Sequence, residues 1–247
     1  MTPHLGRMLG AWSLAVVAGA VATAMAGHAY RALPRPQPLE ELSYYPSGRH
    51  LEVAALGHAE TAADLAWLRA VQYYGAHRST DNQFIRMGHV FDILTSLAPG
   101  FEPAYVFGAF ALAQEGQDFA HAERLMRKGL EHNPRSASLA FQLGFLYYVR
   151  PGERDLGRAA EYFEQASRQP DGPPQSARFA AYARQNSGDL EVARQLWEDV
   201  ARNSGNRYLR EMAQREMARI EEALRLGRRD LAVHRMATPV VILVKSR

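Results

Sequence analysis

The sequence predicts an all-α fold. In detail, this is a right-handed α-solenoid of about four helix-turn-helix repeats with a C-terminal capping helix, preceded by one N-terminal transmembrane helix. Three observations predict it. A helix–turn–helix pattern recurs at a near-constant interval through most of the 247 residues. Strand-like runs are nearly absent before the last ten residues. A 20-residue stretch without a charge, Met8–Gly27, lies close to the amino terminus.

The stretch 136–170 carries the pattern most clearly. Leu143-Gly144 sits in its first helix with Tyr147 after it; Pro151-Gly152 breaks the chain; Ala159, Phe163 and Ala166 line the second helix, and Pro170 ends it. Small residues let two helices approach closely, while Tyr147 and Phe163 fill the space beside them. One copy carries Phe107-Gly108, Ala122, Met126, Gly129 and Pro134. Another carries Ala181, Ala193, Trp197 and Val200, with Gly205 in place of the proline. A fainter one carries Met87, Phe91, Leu94 and Pro99. The anchors Met87, Ala122, Ala159 and Ala193 are 35, 37 and 34 residues apart. From Ala59 to Gly227 the chain therefore resembles the tetratricopeptide repeat (TPR) family, whose unit is a helical hairpin of about 34 residues. Each copy departs from the family in lacking a tryptophan at the start of its first helix.

Residues 1–30 read as a membrane anchor or signal segment. Met8–Gly27 as a helix spans about 30 Å, the thickness of a bilayer's hydrocarbon core. Trp12 and Tyr30 stand near its ends, with Arg7, Arg31 and Arg35 outside it. Gly10, Ala15, Ala18, Gly19 and Ala22 give it a smooth side for helix contact in lipid. The competing reading is a signal peptide cleaved after Ala24-Met25-Ala26, which would release a soluble periplasmic binding protein. The anchored reading is expected, single-pass in the inner (cytoplasmic) membrane, with the repeats on the periplasmic side.

Residues 31–57 are a linker and turn, stiffened by Pro34, Pro36 and Pro38 and followed by Tyr44-Tyr45-Pro46-Ser47-Gly48. The repeat domain spans 58–227. It opens with a helix from Ala59 to Tyr74, whose apolar face is read as Leu65, Leu68 and Tyr73 with Ala62 and Ala66. Its partner is expected over Gln83–Leu97, closed by Pro99-Gly100. Ala63–Gly75, ADLAWLRAVQYYG, is similar to a segment of membrane-anchored bacterial TPR proteins of unassigned role, which adds an expected architecture and no activity. Further helices follow over Pro103–Glu115, Phe119–His132, the two halves of the central unit, Gln175–Gln185 and Leu190–Arg202, the last with Ser187 and Asp189 as candidate caps. Asn206–Leu226 is a charged helix with Leu209, Met212, Met217, Ile220 and Leu224 inward, suited to close a solenoid. Residues 228–247 form a basic and apolar tail. It carries a local charge of +4 and ends in a β-branched run, Pro239–Val244, expected to fold back as a strand or to add to a partner's sheet.

Composition narrows the function classes. There is no cysteine, so disulfides, thiolate zinc sites and lipid attachment through cysteine are excluded. The formal charge of +3 is concentrated in the tail, with no basic stripe along the repeats, so no nucleic-acid partner is expected. No phosphate loop, nucleophile elbow or HExxH motif is present, and no two histidines stand at i, i+4. No catalytic residue, cofactor, metal or small-molecule substrate is expected. The TPR resemblance implies instead a concave groove lined by the first helix of each pair. By register this groove is formed by Tyr105 in one pair, Phe141, Phe145 and Tyr148 in the central pair, and Arg178, Tyr182, Gln185 and Asn186 in the next. The expected function is a membrane-anchored scaffold that binds another protein or helps to assemble a membrane complex.

Overall fold

The structure, a computed structural model, describes residues 16–28, 51, 53, 55–150, 152, 154–228 and 231. The chain divides into two units, Met1–Tyr45 and Pro46–Arg247. In the first, residues 16–28 form a helix on which Val16, Val17, Val21 and Met25 are exposed. Of the expected membrane segment, residues 8–15 lie outside the described residues. Among the described residues no helix is long and apolar enough to cross a membrane. The Pro-rich linker 34–38, the turn 44–48 and the tail run 239–244 also lie outside the described residues.

The second unit is all-helical among its described residues. Its long helices are α1 (Ala59–Arg78), α2 (Met87–Leu97), α3 (Glu102–Gln114), α4 (Phe119–His132), α5 (Ala137–Val149), α6 (Leu156–Ser167), α7 (Ser176–Asn186), α8 (Leu190–Asn203) and α9 (Arg207–Arg225). Short polar side chains start several of them. Asp118, Ser136 and Asp155 each accept a hydrogen bond from the amide three residues on, at 3.0, 3.1 and 3.0 Å, and Asn206 accepts from the Tyr208 amide at 2.9 Å. Asp189 stands at the start of α8 without capping it; its carboxylate faces Arg184 at 3.6 Å instead.

Consecutive helices pack on one another throughout, and α2 also reaches α4 while α3 reaches α5. This placement explains the composition of each helix. α3 and α5 lie between neighbours, so Pro103–Gln114 and Ala137–Val149 carry no charge. α4, α6 and α8 keep one charged outer face. Burial recurs at the interval read from the sequence. Met87, Ala122, Ala159 and Ala193 are buried, and so are the residues one turn later, Phe91, Met126, Phe163 and Trp197. Two glycines of the repeated pattern mark close helix approaches. A Cβ on Gly108 would lie 2.6 Å from the Phe91 ring, and one on Gly144 would lie 2.9 Å from the Phe163 ring and 3.0 Å from the Ala159 carbonyl oxygen.

The first hairpin departs from the sequence reading. α1 continues to Arg78, and it buries Ala63, Ala66, Ala70, Tyr73 and His77. That stripe, spaced by three and four residues, puts small side chains against α2. Leu65 and Leu68, read as inward, are 58% and 56% exposed. The second helix begins at Met87 rather than Gln83 because the preceding residues are tied to α1. The Tyr73 hydroxyl donates to the Gln83 carbonyl at 3.2 Å and accepts from the Arg86 amide at 3.3 Å. Asp81 adds a 2.6 Å contact to His77 Nδ1 and accepts from the Gln83 amide at 3.0 Å; these contacts hold its carboxyl below the usual carboxylate range.

α9 runs as read. Ala213, Ile220 and Ala223 are buried, with Met212, Met217 and Leu224 packed beside them against Trp197 and Leu190. The helix ends on Gly227 at φ 65°, where the Arg228 amide bonds the Ala223 carbonyl at 2.9 Å. Leu231 lies against the same core.

Candidate protein-docking surface

The first helices of successive pairs place aromatic side chains in one connected row. On α3, Phe110 meets Phe145 of α5 with ring centroids 6.1 Å apart. On α5, Phe145 stacks beside Phe141 at 6.4 Å and Tyr148 at 6.4 Å, one helical turn to either side. On α7, Phe179 touches Phe141 at 5.6 Å, Phe145 at 6.1 Å and Tyr148 at 5.7 Å. Phe163 of α6 lies beneath them, 5.2 Å from both Phe141 and Phe179. Phe110, Phe145, Tyr148, Phe179 and Tyr182 are half-buried, each held by its neighbours with part of its ring facing solvent. Rings fixed by mutual contact have little rotamer freedom left to lose when something covers them.

The row continues towards the amino-terminal side. Trp67 and Tyr74 of α1 meet Phe107 of α3 at 5.6 and 5.2 Å. With Val106 and Phe110 they line an open apolar cleft of about 490 Å³, and Gln114 and Glu115 stand at its edge. Glu115 is already engaged, accepting from the Tyr74 hydroxyl at 3.4 Å and pairing with Arg78 at 3.3 Å.

The residues named from the sequence fall into three groups. Phe145, Tyr148, Arg178 and Tyr182 lie half-buried along the row. Asn186 follows one turn after Tyr182, donating from Nδ2 to its carbonyl at 2.9 Å. Phe141 is nearly covered and serves as the floor. Tyr105 and Gln185 face inward. Tyr105 is fully buried against Gly129, and its hydroxyl donates to the carbonyls of Thr95 and Pro99 at 3.3 and 3.1 Å. Burial pushes that hydroxyl up to about 12. Gln185 is consumed by the core. Its Oε1 accepts from Trp197 Nε1 at 2.8 Å, and its Nε2 donates to Glu216 at 2.9 Å. The sequence reading passed over Phe179 and Phe110. Phe179 is adjacent to Arg178, which the register favoured, and both long rings reach across to the neighbouring first helix, α5.

Tyr182 closes the carboxyl-terminal side, edge-on to Trp197 at 4.7 Å with its hydroxyl 3.4 Å from Met212 Sδ. Burial, and then Glu216, raise its hydroxyl above the ordinary tyrosine range. Away from the row, a second cleft of about 490 Å³ is bordered by His89, Asp92, Glu115, Asp118 and His121. There His121 Nε2 lies 3.1 Å from Asp92, joining α4 to α2. Among the described residues no group of three or more histidine and acidic side chains is arranged to hold a metal ion.

No family model matches the chain, and no curated protein matches it.

Proposed function

We propose that the protein is a membrane-anchored scaffold of tetratricopeptide type that docks a segment of another protein along the aromatic row of α3, α5 and α7. The repeats form a right-handed solenoid, and their binding acts in the assembly or stabilisation of a membrane complex. The observation that carries the reading is the row itself: five half-buried aromatic rings on three successive first helices, each in ring contact with another aromatic. Such pre-ordered aromatic surfaces are where protein interfaces concentrate their binding energy. The repeat interval of 34 to 37 residues supports the solenoid. The uncharged run Met8–Gly27 supports an anchor in the inner membrane, which raises the local concentration of the docking surface for other membrane proteins.

The test is co-purification from the native membrane in mild detergent, with stoichiometry, of the wild type beside Phe145→Ala/Tyr148→Ala. A partner at fixed ratio is expected, and the double variant loses it while keeping the wild-type helical content. Truncating an interface aromatic costs about 2 kcal/mol or more, so the two together abolish a micromolar complex. A bare wild-type chain, or a partner that stays with the double variant, overturns the reading. The site Ala24-Met25-Ala26 favours a second reading, a soluble periplasmic binding protein. A mature chain beginning at Gly27 selects it.

A further inference from the structure

We infer that the segment docking on the aromatic row carries an acidic side chain beside its apolar residues, and that Arg178 receives it. The inference rests on the docking reading above and names the chemistry of the partner.

The three helices that supply the row are nearly free of charge. Pro103–Gln114 has none and Ala137–Val149 has none, while α7 has two, Arg178 and Arg184. Arg184 is taken. It lies 2.7 Å from Glu164 and 3.6 Å from Asp189. Arg178 makes no ion pair among the described residues. Its guanidinium carbon lies 5.5 Å from the centre of the Phe179 ring, the ring that touches Phe141, Phe145 and Tyr148. Glu216 of α9, which acts on the same Tyr182 hydroxyl as Arg178, is spent. Glu216 accepts from Gln185 at 2.9 Å and from Arg219 at 2.9 Å. At the other end of the row Glu115 is spent on Arg78 and Tyr74. Among the described residues Arg178 is therefore a half-buried cation without an acidic partner, at the carboxyl-terminal end of an apolar row.

That charge dictates what can cover it. A guanidinium stays protonated at any physiological pH and presents a planar fork matched to a carboxylate. A purely apolar segment lying on Phe145, Tyr148 and Phe179 would remove water from Arg178 and leave the cation uncompensated. A basic segment would add repulsion. A segment with aspartate or glutamate at this point meets both demands at once, and the flanking rings lower the local dielectric and strengthen the pair. The same argument disfavours the chain's own tail run, which is bordered by Arg235, Lys245 and Arg247.

Selection from a displayed library of random linear peptides, on the full chain in detergent micelles, tests this. Wild type, a chain ending at Leu231, Arg178→Gln, Arg178→Glu and Phe145→Ala/Tyr148→Ala are run in parallel after circular dichroism has shown equal helical content. Wild type is expected to enrich peptides that combine apolar residues with an acid at a fixed spacing. The selected peptide, resynthesised, should bind Arg178→Gln about tenfold or more weakly, and Arg178→Glu should enrich lysine or arginine at the same place. Apolar peptides enriched without an acidic position, or with the same acid on Arg178→Glu, overturn the pairing and leave the docking reading standing. Peptides that bind the Phe145→Ala/Tyr148→Ala variant as well as wild type, or no enrichment on either the wild type or the chain ending at Leu231, overturn both. Enrichment only on a chain ending at Leu231 assigns the row to the chain's own tail and overturns the external acidic partner.

Discussion

α1 and α9 are the first and last long helices of the repeat unit, and they treat their free faces in opposite ways. α9 buries Ala213, Ile220 and Ala223 and turns outward ion pairs along the helix, Arg207 with Glu211 and Arg225 with Glu222, while Arg219 reaches back to the largely covered Glu216. α1 buries Ala63, Ala66 and Ala70 and turns outward Leu65, Leu68 and Val71, the last 40% exposed. Exposed ion pairs along a helix add only a few tenths of a kcal/mol each, but they keep a terminal face wet. Exposed leucines along one face do the reverse. The cores beneath differ too. The α7–α9 core is built on one large side chain, Trp197, with a hydrogen-bonded indole. The α1–α2 contact is built on alanines and on polar ties from Tyr73. Large-side-chain packing and small-side-chain approach fail in different ways, which makes the difference measurable.

The largest effect is expected at Trp197. It is fully buried among Ala181, Leu190, Ala193 and Ile220, and its Nε1 satisfies Gln185. Trp197→Ala leaves a cavity and an unpaired buried amide oxygen, and costs about 3–5 kcal/mol. In a repeat array this loss falls on α7–α9 first, so amide hydrogen exchange should show those helices opening while α3–α6 stay protected. Uniform loss of protection across all helices would mean that the two ends are not energetically separate.

A smaller effect separates the amino-terminal hairpin by pH. Tyr105 fastens α3 to the end of α2 through the carbonyls of Thr95 and Pro99. Its hydroxyl titrates near 12 in the folded chain, above the ordinary 10.0, because burial disfavours the phenolate. The neutral form is therefore the one the fold prefers. This contribution to stability is complete below pH 10, and it is lost as pH rises from there through about 12. Tyr105→Phe costs about 1 kcal/mol at neutral pH by removing the hydrogen bonds, and it flattens that alkaline loss. Chemical denaturation at several pH values, read beside tyrosinate absorbance, checks it. An alkaline slope unchanged in the variant would remove Tyr105 as its source.

How much of this was legible in the sequence depends on whether one element or two decided the outcome. α4 was read at its observed bounds, Phe119–His132, because Asp118 and the charged outer face are local signals. The buried anchors Ala122, Ala159 and Ala193 were legible for the same reason, since spacing along one chain fixes them. Tyr105 and Phe141 occupy the same register, yet Tyr105 is buried deeper. Two carbonyls at the end of α2 draw its hydroxyl inward, and no pattern within α3 reports them. Phe179 was passed over because its importance lies in rings on α5 and α6. Gln185 looked like a polar groove residue; its real partners, Trp197 and Glu216, stand 12 and 31 positions away. On α1 hydrophobicity pointed to Leu65 and Leu68, but the close approach of α2 favoured the alanine stripe.

That last difference yields the smallest effect on stability and the most direct test of the contrast between α1 and α9. Leu65→Gln/Leu68→Gln replaces two exposed leucines on a face that packs against nothing described, so the unfolding free energy should stay within about 0.5 kcal/mol of wild type. What should change is association: retention on a hydrophobic column and concentration-dependent self-association both fall, because the largest apolar side chains of that face are gone. On α9 the converse substitution, Arg215→Leu/Arg219→Leu, should raise both, while removing one ion pair, that of Arg219 with the largely covered Glu216. If instead the glutamine variant unfolds several kcal/mol more easily, Leu65 and Leu68 are part of a core. The free face of α1 would then be an inward face like that of α9, and the contrast between the two ends would vanish.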